Sequence, residues 1–108
     1  KGYPSAMKSH YRSFIEFDVK AGAEQSFLHA FLAAGMLTRP ESIDGFVDAE
    51  LVRDGATFAV IGRWETAEAY ARWQGVAQKE APAEALKALS KTIEATRPGR
   101  LYELVTDD

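Results

Sequence analysis

Cysteine is absent from this 108-residue chain. Without thiols there is no disulfide framework, thiolate zinc site, iron–sulfur cluster or cysteine nucleophile. A reducing, cytoplasmic setting is expected. Histidine is scarce: only His10 and His29 occur, with no paired Asp, Glu or Cys spacing, so no metal site is expected. Positive charge is not in excess, because 13 Lys+Arg stand against 16 Asp+Glu, a formal charge of −3. A nucleic-acid partner needs clustered Lys/Arg to neutralise phosphates and is therefore not expected. No apolar run approaches the roughly 20 residues of a membrane span, so no membrane partner is expected either. No secretory signal is visible, although the chain begins at Lys1 and an upstream segment can have been removed. Walker-type, Gly-x-Gly-x-x-Gly, His-Glu-x-x-His and Gly-x-Ser-x-Gly strings are missing.

What is present is an ordinary globular mixture, 46% hydrophobic and 27% charged, of a length that fits one core. Residues 1–9 have no period and read as a flexible N-terminal arm, leaving 10–106 as a single domain. From His10 onward Tyr11, Ser13, Ile15, Phe17 and Val19 alternate with Arg12, Phe14, Glu16 and Asp18, the period of a strand. Phe27, Leu28, Phe31, Leu32 and Met36 then form the apolar stripe of a helix of about four turns, which Gly35 weakens and Pro40 cannot continue. Two β-type runs, 46–53 and 56–64, flank Asp54-Gly55, a hairpin signal in which both residues are expected at positive φ. Thr66 is a candidate N-cap for a helix that places Tyr70, Trp73, Val76 and Ala77 on one face. A further helix is expected over about 82–95, with Pro82 in its first turn and Leu86, Leu89 and Ile93 as its stripe. Pro98-Gly99 ends it, and Leu101, Glu103 and Val105 alternate in a last strand. The fold class is therefore α+β. The order β-α-β-β-α-β is ferredoxin-like and predicts one four-stranded antiparallel sheet with the helices on one face.

A two-layer domain of this kind should alternate cleanly between buried and wet residues. Here both parities carry apolar side chains: Phe58, Val60 and Trp64 against Ala59 and Ile61 in the third strand, and Leu101 and Val105 against Tyr102 and Leu104 in the last. A second apolar face implies a partner, and the economical one is another copy of the chain, a homodimer stacking sheet on sheet. Long Arg and Glu stems shielding that face are the alternative.

Ile43-Asp44-Gly45-Phe46, Glu50-Leu51-Val52-Arg53, and Gly62-Arg63-Trp64-Glu65-Thr66-Ala67-Glu68-Ala69-Tyr70 followed by Trp73 form a string. It resembles the antibiotic biosynthesis monooxygenase family, whose fold is the dimeric α+β barrel. The resemblance runs from about His10 to Val105. It implies that Trp64 and Tyr70, six residues apart, line a pocket for a small aromatic ligand, as in quinone-forming members, which use neither metal nor flavin. No cofactor is therefore expected. An indole N–H and a phenol O–H suit a flat phenolic guest. The alternative is that both rings only pack between sheet and helix. Quinone-forming relatives place an Asn four residues before the Trp; here that residue is Val60, and the chain has no asparagine. In the haem-degrading branch a Trp at the place of Trp73 presses on the porphyrin and a His ten residues on ligates iron; here that residue is Ala83, and haem degradation is disfavoured.

Three residues are candidates for handling the proton. His29 and His10 carry the imidazoles that act as bases near neutral pH. Arg63, with Arg12 across the sheet, can favour an anion, or pair with Glu16 or Glu65 at the rim. The expected function is that of a cofactor-independent monooxygenase-like protein for a small aromatic or polycyclic quinone- or phenol-type substrate. In that reading Trp64, Tyr70 and Trp73 are walls and His29, His10 and Arg63 the catalytic candidates. A non-catalytic dimeric ligand-binding or stress-associated protein of the same fold is the alternative.

Overall fold

The computed structural model describes residues 9–106. All but the last residue of the expected N-terminal arm lies outside the described residues. Ser9 is held, since its carbonyl and hydroxyl accept hydrogen bonds from Arg12 Nη1 at 3.0 and 3.1 Å.

The chain runs β1 (Tyr11–Val19), α1 (Glu24–Ala33), a 3-10 turn (Arg39–Ser42), β2 (Phe46–Asp54), β3 (Thr57–Trp64), α2 (Ala67–Val76), α3 (Ala83–Thr92), β4 (Ile93–Thr96) and β5 (Arg100–Glu103). The strands make one antiparallel sheet in the order β2-β3-β1-β4, with β5 also pairing β1. This is the ferredoxin-like arrangement, with five strands instead of four because the edge strand is split. β4 lies along the far end of β1, from Phe17 to Val19, and β5 along residues 11–14. Pro98 stands between them and has no N–H to give to a ladder.

Several local expectations shift. Helix α3 ends at Thr92, so Ile93 belongs to β4 opposite Val19 and not to a helical stripe. Thr92 Oγ1 closes the helix by donating to the Leu89 carbonyl at 2.7 Å. Helix α1 is ten residues long, not four turns, and is rotated from the expected stripe. Phe27, Ala30, Phe31 and Ala34 are buried at i, i+3, i+4 and i+7, whereas Leu32 is 53% exposed. In the hairpin Asp54 pairs with Thr57, so the loop is Gly55-Ala56. Only Gly55 has positive φ, +62°, which matches a turn that needs glycine at its first central position. The Thr66 cap forms as expected, its Oγ1 accepting the Ala69 N–H at 3.1 Å. The last strand stops at Glu103, short of Val105.

Residues facing each other across β1 and β3 share a face of the sheet. Ser13, Ile15, Phe17 and Val19, with Phe58, Val60, Gly62 and Trp64, look toward the helices. Two buried clusters result. Val19, Phe27, Ala30, Phe31, Phe58 and Leu89 form the first, beneath α1 and α3. Trp64, Ala69, Tyr70 and Trp73 form the second, beneath α2. The opposite face carries Phe14, Ala59, Ile61 and Tyr102 among charged residues, with Phe14 and Tyr102 in an edge-to-face contact at 5.4 Å.

Arg39 ties the helical layer together. Its Nη1 donates to the Ala34 carbonyl at 3.0 Å, and its Nη2 to the carbonyls of Val76 and Ala77 at 3.0 and 2.8 Å. These carbonyls are at the C-terminal ends of α1 and α2, where the helix dipole favours a cation. The guanidinium also lies 5.1 Å from the Trp73 ring centroid. Arg39→Ala is expected to lower stability by about 2–3 kcal/mol, the scale of charged hydrogen bonds lost from a half-buried site. Urea unfolding followed by tryptophan emission measures it.

Candidate active site

The second cluster begins at the end of β3. Ser13 on β1 sits opposite Gly62 on β3. A Cβ on Gly62 would stand 2.7 Å from Ser13 Oγ and 2.8 Å from Trp64 Nε1. Its absence lets the indole lie back along the sheet and donate to Ser13 Oγ at 2.9 Å, in a buried bond. Trp64 is 2% exposed. Phe46 meets it edge-on at 5.1 Å, and Tyr70, one turn into α2, is tilted against it at 5.5 Å. Tyr70 and Trp73 are three residues apart on one helical face and are 5% and 8% exposed.

The polar atoms here are few. Tyr70 Oη accepts from Gln74 Nε2 at 3.3 Å. Burial raises the Tyr70 phenol above its ordinary value, so it stays protonated well beyond neutral pH. Ser13 Oγ accepts from Trp64. Among the described residues neither hydroxyl has an acceptor for its own proton. Two O–H donors therefore remain available within an aromatic cluster whose one charged neighbour given by the ring contacts is Arg39, over Trp73.

The expected wall residues Trp64, Tyr70 and Trp73 are thus brought together, and the expected proton-handling residues lie elsewhere. His29 is exposed on α1, at an open depression between α1 and α3 that Gln25, Ser26 and Glu84 also line. His10 is exposed ahead of β1. Arg63 neighbours Trp64 in β3 but points to the opposite face, 3.4 Å from Asp48, not to Glu16 or Glu65. Arg12 does lie across from Arg63 on that face. Val60 faces the helices and packs against the first cluster; the amide in the second cluster is that of Gln74, on α2. Among the described residues no group of three or more His, Cys, Asp or Glu converges as a metal set. No helix among them is long and apolar enough to cross a membrane.

Ser13 and Gln74 were not anticipated as site residues. The signal for Ser13 was a hydroxyl on the apolar parity of β1, which acquires meaning only when Gly62 is known to stand opposite. The signal for Gln74 was its i+4 spacing from Tyr70.

A family model described as antibiotic biosynthesis monooxygenase matches residues 11–80. The chain belongs to this family. No curated protein matches the sequence at a significant level. Among solved structures, a dimeric ferredoxin-like protein from an uncultured marine organism is similar at a TM-score of 0.77 and 13% identity, covering 95% of this chain and 94% of that one. A conserved protein from Methanosarcina mazei is similar at 0.69 and 14%, covering 93% and 96%. SnoaB, a cofactor-independent oxygenase from Streptomyces nogalater, is similar at 0.63 and 20%, covering 92% and 96%. At these identities the likeness is one of fold. This chain has tryptophan at 64, tyrosine at 70 and valine at 60, all within the matched residues.

The raised Tyr70 phenol sets an alkaline dependence. The folded state holds this proton to higher pH than the unfolded chain, so the stabilisation is complete below the ordinary tyrosine value of about 10 and is lost as pH climbs through the raised folded value. Urea unfolding of the wild type and Tyr70→Phe between pH 9 and 11.5 should show the wild type losing more stability across that limb than the variant.

Proposed function

We propose that the protein is a cofactor-independent oxygenase of small phenolic or polycyclic aromatic compounds, with its site at Trp64, Tyr70, Trp73 and Ser13. The observation that supports it is the gathering of three large aromatic side chains with two hydroxyls whose protons are unspent. Flat apolar walls suit a fused-ring guest, and convergent donors suit its oxygen. Because Tyr70 stays protonated, it serves as a donor to a bound oxyanion and not as a base. The guest is then taken as its anion, so the rate should follow the guest's own ionisation. The overall conversion balances without a further reductant: one ring CH2 and one O2 become one ring C=O and one water. The protein's part is to bind the anion, orient it and keep water from it.

A non-catalytic ligand-binding role is the second reading. It is favoured by Val60 in place of an amide and by the close packing of the cluster. Oxygen consumption with a panel of hydroquinones and anthrones separates the two. The oxygenase reading expects turnover with at least one compound, lowered about tenfold or more in Trp64→Phe, Tyr70→Phe and Ser13→Ala. No turnover by folded protein that still binds these compounds would move the function to the second reading.

We also infer that the open sheet face pairs with a second copy. Phe14, Ala59, Ile61, Val52 and Tyr102 give it apolar area, and a structurally similar protein is described as dimeric. Light scattering should report two chains per particle at micromolar concentration, and one chain for Phe14→Asp/Ile61→Asp. A wild-type monomer would remove this pairing.

A further inference from the structure

Tyr70 lies against the split in the edge strand. Residues 97–99 cross from β4 to β5 opposite Ile15 and Glu16 of β1. All three residues are exposed, while Tyr70 beneath them is buried. A Cβ on Gly99 would stand 2.5 Å from Tyr70 Oη and 3.2 Å from Ile15 Cγ1. Gly99 thus lies against the phenol hydroxyl, with no room for a side chain between them. On other sides the phenol has Trp64, the α2 helix and Gln74.

The crossing is fastened from outside by one residue. Arg97 Nη1 lies 3.1 Å from Glu16 Oε1, and its Nη2 lies 3.0 Å from Asp18 Oδ2. The Arg97 N–H also donates to the Glu16 carbonyl at 2.9 Å. Pro98, having no N–H, adds no ladder bond. Ion pairs this exposed hold weakly and yield to salt and thermal motion. The segment thus rests on exposed ion pairs and one main-chain bond, directly over the Tyr70 hydroxyl.

We propose that residues 97–99 are the door of the Trp64–Tyr70 site, with Arg97 as its latch and Gly99 as the residue whose missing side chain sets the size of the ring admitted. The door is a property of the wall and stands apart from the catalytic reading; the identity of the guest, a small flat aromatic, rests on it.

The test uses Trp64 as the reporter, in a Trp73→Phe background that leaves it the sole indole. Acrylamide quenching should rise about threefold or more in Arg97→Ala and return toward the parent value in Arg97→Lys, with urea midpoints confirming that all are folded. Unchanged quenching in Arg97→Ala overturns the latch. Should Trp73→Phe fail to fold, the same comparison in the chain that retains Trp73 carries the test. For Gly99 the probe is 1-naphthol, read by quenching of tryptophan emission in the chain that retains Trp73. Gly99→Val should weaken its binding about tenfold or more and Gly99→Ala by less, with urea midpoints confirming that both are folded. Equal binding by folded Gly99→Val overturns the size role. Absence of 1-naphthol binding to the wild type overturns both that role and the ligand reading, while a positive acrylamide result still supports the latch.

Discussion

The buried hydrogen bond from Trp64 Nε1 to Ser13 Oγ fixes the arrangement on which the candidate site depends. A buried indole N–H without an acceptor would cost about 1–3 kcal/mol, more than the roughly 1 kcal/mol that a typical satisfied bond contributes. The pairing therefore acts mainly by excluding other orientations of the ring. It links β1 to β3 and requires the space at Gly62. With the indole set, the ring of Phe46 on one side and that of Tyr70 on the other have defined places, and the Tyr70 hydroxyl comes to rest beside Gly99. Six positions spread over 87 residues of chain, from Ser13 to Gly99, thus specify one another through contact.

The second fixed point has a different chemistry. Arg39 satisfies three main-chain carbonyls at the ends of two helices and has no carboxylate among these partners. Its neutralisation is by dipoles, which do not titrate, so this junction is insensitive to acid in a way that a salt bridge at the same place would not be. It also sits against Trp73, which couples the helical layer to the aromatic cluster.

Much of the fold was legible because local and long-range signals agreed. The alternation in β1, the two β-type runs around Gly55 and the Thr66 cap all state the same topology that packing selects. The misread places are those where a local pattern fits two structures. Leu86, Leu89 and Ile93 have helical spacing, yet Ile93 gains more from pairing with Val19 at the sheet edge. Leu28 and Leu32 suggested one helical phase, but the smaller Ala30 and Ala34 let α1 approach closely and turn His29 outward. The aromatic triad was visible from spacing and family likeness together. Ser13 was not, because a lone serine in a strand carries no signal until the glycine opposite is known. The proton-handling candidates were chosen by chemical type, and type does not specify which face of a strand or helix a residue occupies.

The divided edge strand also bears on how copies of this chain avoid each other. An intact outer strand offers a continuous row of unpaired N–H and C=O groups on which another chain can build. Here that row is cut into two four-residue pieces, with Pro98 between them. The other edge, β2, is long but carries Asp48, Glu50, Arg53 and Asp54. An approaching strand therefore meets a short, interrupted template on one side and charge on the other. Growth of the sheet sideways into open-ended fibres is discouraged at both borders, and the apolar area left for self-recognition is on the flat of the sheet, where contact between two copies is self-limiting.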